Sequence, residues 1–251
     1  MTTGVAIELR NLTKRYGGAA AVDGLSLRVA AGAVFGFLGP NGAGKSTAIK
    51  MMTGIVAPDE GDAFFGAASI RTEDVAVKRI LGVVPDSLAL FEHLSIWEHL
   101  DIVRSLFDVE EEEFKLRSGE LLQLLDLAAD SGKLARQASY GMRKKTALAM
   151  ALLPNPKVLI LDEPFEGLDP VMSVTVKRAL KRAAAKGTTV FLTTHMLEAV
   201  EDLISHYGIL SRGVLLAQGS MQELAGAGRT LQLEYLKHFD DSSRGELAWL
   251  G

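Results

Sequence analysis

Residues 39–47 read GPNGAGKST (Gly39, Pro40, Asn41, Gly42, Ala43, Gly44, Lys45, Ser46, Thr47). Gly39, Gly44, Lys45 and Ser46 occupy the fixed positions of the phosphate-cradling pattern G-x-x-x-x-G-K-[ST]. A polyphosphate needs many donors at short range, and glycines let backbone N–H groups close round it without Cβ clashes. A helix beginning near Lys45 adds its positive dipole end. Lys45 is placed to reach β- and γ-phosphates, and the Ser46 hydroxyl to hold Mg²⁺. The flanks fit: Ala33–Leu38 (AVFGFL) is a short apolar run with the look of a buried strand, and STAIKMM after the loop is helical in character, with Gly54 as its stop. A plain glycine turn explains less of this context.

A second stretch matches the first. Lys157–Pro164 reads KVLILDEP, four apolar residues that end in two carboxylates. A strand buried on both faces that delivers acids at its C-terminal end is how a parallel sheet supplies a site. Adjacent acids there are costly unless a cation or substrate compensates. Asp162 is expected near Mg²⁺. Glu163, on the opposite strand face, is expected to activate a water. Thr188–His195 (TTVFLTTH) reads as a neighbouring strand that leaves His195 at its C-terminal end, within reach of the same phosphate.

Working outward, Val5–Leu9 and Leu25–Val29 alternate as strands with one covered face. Tyr16, between them, reads as a base-stacking platform or as a half-buried strand-end tyrosine. LGVV before Pro85 is another buried strand. From Asp86 the character changes. Leucines at helical spacing over 92–138 predict two or three amphipathic helices, with Glu110–Glu113 as a solvated helix start. Ser139–Leu153 reads as a helix stopped by Pro154. Arg143, Lys144 and Lys145 near its beginning read equally as a wet basic face or as a contact with an anionic ligand or partner. Asp169 is an N-cap with Pro170 at the first helical position, and that helix runs to Lys186 with Gly187 as its stop. A hairpin turns at Arg212–Gly213, and Ser220 with Glu223 makes a capping box. Residues 228–251 receive no assignment.

The bulk numbers narrow the class. The chain has 251 residues, 48% hydrophobic and 23% charged, which suits a globular protein. A net charge of −4 removes the electrostatic argument for nucleic-acid binding. The absence of cysteine excludes disulfides and thiol catalysis. The N-terminus lacks the apolar stretch of a signal peptide, and no run approaches the roughly 18 apolar residues of a membrane span.

Tyr16, GPNGAGKST, SYGM, LILDEP, GLD and TTH stand in one order, and that order resembles the nucleotide-binding subunit of ATP-binding cassette (ABC) transporters over residues 5–225. The resemblance implies an α/β fold: a P-loop NTPase core with a mainly parallel central sheet, an N-terminal antiparallel β subdomain and an α-helical subdomain inserted at about 87–140. Residues 1–225 would form a single ATPase domain and 226–251 a C-terminal tail. It also implies roles. Tyr16 would stack on adenine, Gly39–Thr47 would be Walker A and Val158–Asp162 Walker B. Glu163 would be the general base, Gly167–Asp169 the D-loop and His195 the switch histidine. Ser139 and Gly141 would touch the γ-phosphate held by a second copy. Ser46, Asp162 and Asp86 would face Mg²⁺.

Two departures stand out. The signature, usually LSGGQ, is ASYGM (Ala138–Met142), like the variant of exporter-type cassettes whose permease is a separate chain. The position usually held by glutamine, and in some members glutamate, is Asp86, which is shorter and charged. The implied working unit is a head-to-tail homodimer that sandwiches two ATP molecules at the cytoplasmic face of the cell membrane. It would be held there by an integral membrane permease, docked through the helical subdomain with Leu88, Leu90 and Phe91. The rivals are a soluble ABC-type ATPase, which usually carries coiled coils or paired cassettes, a regulatory ATP-binding module, and a small-molecule kinase, which shares only the P-loop.

Overall fold

The computed structural model describes residues 4–239. Two sheets organise it. The first is antiparallel, in the order β2-β1-β4-β5, with β1 Val5–Tyr16, β2 Ala19–Ala30, β4 Glu60–Phe65 and β5 Ala68–Ser69. The two expected short strands are the ends of one long hairpin that turns at Gly17 and Gly18, both at positive φ, as a two-residue hairpin loop requires. Tyr16 is therefore the last residue of β1, at the strand end.

The second sheet has six strands in the order β10-β9-β3-β8-β7-β6. These are β3 Val34–Leu38, β6 Leu81–Val84, β7 Val158–Asp162, β8 Thr189–Thr194, β9 His206–Ser211 and β10 Val214–Ser220. All neighbours pair in parallel except β10, the edge strand returned by the Arg212–Gly213 turn. β3, β7 and β8 are buried along their whole length, which is why they read as continuous apolar runs.

Two cores result. Ile7, Leu9, Val29 and Phe65 from the antiparallel sheet pack with Phe35, Phe37 and Phe191 of the parallel sheet and with Ala48, Ile49 and Met52 of α1 (Lys45–Met52). The other face of the parallel sheet packs Leu159, Leu161 and Leu192 against helical residues such as Leu100, Leu148, Val176 and Leu180.

After α2 (Asp74–Lys78), the stretch between β6 and β7 holds α3 (Ile96–Leu106), α4 (Glu111–Leu124), two short 3-10 turns and α5 (Tyr140–Leu152). Ser95 and Glu98 cap α3 reciprocally. Glu111–Glu113 fill the exposed first turn of α4, where carboxylates complement the helix dipole. Ser139 accepts from Met142 N at 3.2 Å to start α5, and Asp169 accepts from Met172 N at 2.9 Å to start α6 (Pro170–Ala185).

Beyond α7 (Met221–Gly226) the chain carries one more helix among the described residues. Leu231–Phe239 form α8. A nine-residue helix is marginal alone. Here Leu231 is buried, its N–H donates to Glu201 Oε1 at 3.0 Å, and Tyr235 stacks on Phe239 with ring centroids 4.3 Å apart. Tertiary packing supplies what local propensity lacks. The remainder of that stretch, from residue 240, lies outside the described residues. Among the described residues no helix is long and apolar enough to cross a membrane.

Candidate active site

Parallel pairing puts the C-terminal ends of β3, β6, β7 and β8 on one edge of the sheet. Gly39, Glu163 and His195 follow those ends directly, and Asp86 follows β6 after Pro85, which is where parallel sheets carry their sites. A cleft of about 410 Å³ opens there, lined by Ala21, Asn41–Thr47, Asp86, Glu163, Glu166 and His195.

The loop that forms its floor needs glycine at two places. A Cβ on Gly39 would run into the Leu210 carbonyl, and one on Gly44, which also has φ +107, would run into that of Ala21. Gly44 leads straight into α1, whose first turn has no side-chain cap, so its N–H groups face the cleft without a side-chain acceptor. This is the geometry of a helix N-terminus built to receive an anion.

Lys45 is buried and folds back over the loop. Its Nζ donates to Gly39 O at 2.8 Å and to Pro40 O at 3.2 Å, and lies 3.6 Å from Glu163 Oε1. The same carboxylate oxygen is 2.9 Å from His195 Nδ1. Glu163 thus joins the loop lysine to the histidine at the end of β8.

The sequence placed Glu163 on the far face of a strand. The structure corrects this. The strand ends at Asp162, and Glu163 has φ +46, in the left-handed region. For a residue with a Cβ that conformation costs roughly 1–3 kcal/mol and is kept only where the surroundings impose it. They do: Glu163 N–H donates to Thr193 Oγ1 at 3.1 Å, and the Asp162 carbonyl accepts from Lys144 Nζ at 3.1 Å. The Thr193 hydroxyl in turn donates to Asp162 Oδ1. Asp162 is 2% exposed and lies behind the cleft rather than among the residues that line it.

Other expected residues fall elsewhere. Tyr16 is half exposed at the end of β1 with the Lys14 ammonium 5.8 Å from its ring centre, and it does not line the cleft. Ser139 and Gly141 lie at the start of α5, also outside the lining. Two further groups belong to the site. Glu166 lines the cleft from an exposed position that carries no pattern signal. Lys144, taken with its neighbours as a possible wet face, is wholly buried. Burial pushes its ammonium below the usual lysine range, while Glu166, Asp86, Asp162 and Glu163 pull the other way. Its neighbours Arg143 and Lys145 are only partly buried, and Lys145 donates to Asp126 O at 3.0 Å.

The family model described as ABC transporter matches residues 22–166. The chain belongs to the ABC transporter family. Among similar proteins are the daunorubicin resistance ATP-binding protein DrrA3 of Streptomyces coeruleorubidus, 38% identical over 87% of this chain and 69% of that one, and the linearmycin resistance ATP-binding protein LnrL of Bacillus subtilis, 34% identical over 87% and 70%. A solved ATP-binding subunit of an ABC transporter superposes with a TM-score of 0.87 at 27% identity, over 92% of this chain and 98% of that one. The chain is accordingly an ABC transporter ATPase, and the P-loop NTPase fold expected from its motifs is the fold observed.

Proposed function

We propose that this ABC ATPase powers an exporter, working as a head-to-tail homodimer on a separate integral membrane permease. The observation that carries the catalytic part is the meeting of Glu163 Oε1 with His195 Nδ1 at 2.9 Å and Lys45 Nζ at 3.6 Å inside one cleft. ATP would lay its phosphates on the N–H groups of the Gly39–Thr47 loop and of α1. Lys45 would then transfer its charge from Glu163 to the β- and γ-phosphates. The freed carboxylate would take the proton of the attacking water, with His195 holding its orientation and contacting the γ-phosphate. Tyr16 would stack on the adenine from the rim.

Mg²⁺ at this site would supply positive charge against the charge that develops on the phosphates. Among the described residues no group of three or more His, Cys, Asp or Glu could hold a metal by itself. Ser46 and Asp86, which line the cleft, and Asp162, buried behind it, are the oxygen donors that would hold it, a donor type that fits Mg²⁺.

Ser139 and Gly141 do not line their own chain's cleft. A second copy, turned head to tail, would bring them to the γ-phosphate, so that ATP closes the pair and its hydrolysis opens it. Residues 1–225 would act as one ATPase domain, with the helices between about 87 and 140 as its partner-facing subdomain. Leu88 packs on the core, while Phe91 stands 61% exposed beside it, a patch that would receive a cytoplasmic helix of the permease. Relatives named for daunorubicin resistance, linearmycin resistance and Nod factor export support outward transport. The place of action would be the cytoplasmic face of the membrane, reached through the permease.

The test is to tag the chain, solubilise membranes in mild detergent with Mg²⁺-ATP, and identify what co-purifies. A stoichiometric multi-span protein is expected. Reproducible recovery of soluble proteins alone, or of none, would favour the soluble or regulatory ATPase instead.

A further inference from the structure

We infer that Lys144 is a positioning residue for Glu163, holding the Asp162–Glu163 peptide in the turn that aims the Glu163 carboxylate into the cleft. The inference rests on the reading of Glu163 as the base.

The geometry is specific to one peptide unit. Its carbonyl, Asp162 O, accepts from Lys144 Nζ at 3.1 Å. Its N–H, on Glu163, donates to Thr193 Oγ1 at 3.1 Å. Both polar atoms of the unit are therefore fixed by side chains, one from α5 and one from β8. The plane of this peptide sets φ of Glu163, which is +46. If the peptide turned, Glu163 would leave the left-handed region and its carboxylate would swing away from His195 and Lys45. A left-handed glutamate needs such restraint.

Lysine suits the place. A buried ammonium is costly unless anions compensate it. Lys144 is fully buried, and the carboxylates of Glu166, Asp86, Asp162 and Glu163 offset part of that cost. Its long stem also ties the carboxylate turn to α5, the helix capped by Ser139 five residues earlier. The segment proposed to touch the partner's nucleotide and the base of the chain's own site are thus joined through one side chain.

The experiment compares ATP titration and single-turnover γ-phosphate release for the full chain, K144M, K144R, E163Q and K144M/E163Q. K144M is expected to bind ATP within about twofold of wild type and to release phosphate at least about tenfold more slowly. K144R keeps donor and charge and is expected within about threefold of wild type. K144M/E163Q is expected to be no slower than E163Q alone, because a residue acting through Glu163 has nothing left to position. A K144M rate within about twofold of wild type overturns the inference. So does K144M slowing E163Q by the same factor as it slows wild type. A near-wild-type E163Q overturns the reading of Glu163 itself, whereas a slow E163Q beside a fast K144M overturns only the role of Lys144. Exchange of a buried ion for a neutral side chain of similar volume is commonly tolerated. Should K144M fail to fold, K144Q, whose shorter amide falls short of the Asp162 carbonyl, is read by the same two comparisons.

Discussion

The ring of Tyr140 lies against Gly167, so close that a Cβ on Gly167 would stand 2.5 Å from Tyr140 Cε1. Tyr140 is the residue that replaces a glycine in the usual signature, and Gly167 opens the GLD segment after the carboxylates. Gly141 approaches the same place, since its Cβ would sit 2.9 Å from Gly167 O. The altered signature is therefore packed onto the loop that follows Glu163 within one chain. G167A meets both this ring and an unfavourable φ of +76. It should destabilise the protein by about 1–3 kcal/mol in denaturant unfolding. Y140G should recover part of that loss in the double variant, but not all of it, because the φ penalty stays.

K45A removes the ammonium that lies among Gly39 O, Pro40 O and Glu163. A charge-assisted contact to phosphate is worth about 1.5–3 kcal/mol, so ATP affinity should fall about 10- to 100-fold in a titration. Unchanged affinity would contradict the phosphate-loop argument.

Phe91 sits on a segment held by His99, whose Nε2 accepts from Phe91 N–H at 2.9 Å while Nδ1 pairs with Ser95 O at 2.7 Å. F91E places a charge on the proposed docking patch without touching the cleft. Permease recovery in pull-downs should drop at least about tenfold, with ATP hydrolysis by the isolated chain unchanged. Equal recovery would move the docking surface elsewhere.

On the outer sheet, hydrogen bonds from Arg10 and Arg28 hold the Glu8 carboxyl at about 2, below its ordinary 4.5. Between those values the folded chain binds fewer protons than the unfolded one, so the contribution is complete above about 4.5 and is lost as pH falls toward 2. E8Q should flatten the stability profile in that acid window and leave it unchanged near neutrality. Because the pair lies at the surface, the effect should shrink in high salt.

Much of this was legible in the sequence because the signals were local. GPNGAGKST names its own turn and helix start, and the VLIL and VFLTT runs announce strands buried on both faces. The caps Asp169 and Ser220 act within three residues of themselves. What escaped depends on distant partners. Lys144 looks like its neighbours until α5 is laid against the end of β7. Glu163 was expected to continue the alternation of a strand, but the side chains of Thr193 and Lys144 turn its peptide out of the sheet. α8 exists because Leu231, Tyr235 and Phe239 find a core contributed by other segments.

The most direct test is γ-phosphate release by E163Q, measured beside ATP binding. The account predicts retained ATP binding and hydrolysis at least roughly a hundredfold slower than wild type. Near-wild-type release would contradict it, because the carboxylate that meets Lys45 and His195 would then not be the group that activates water.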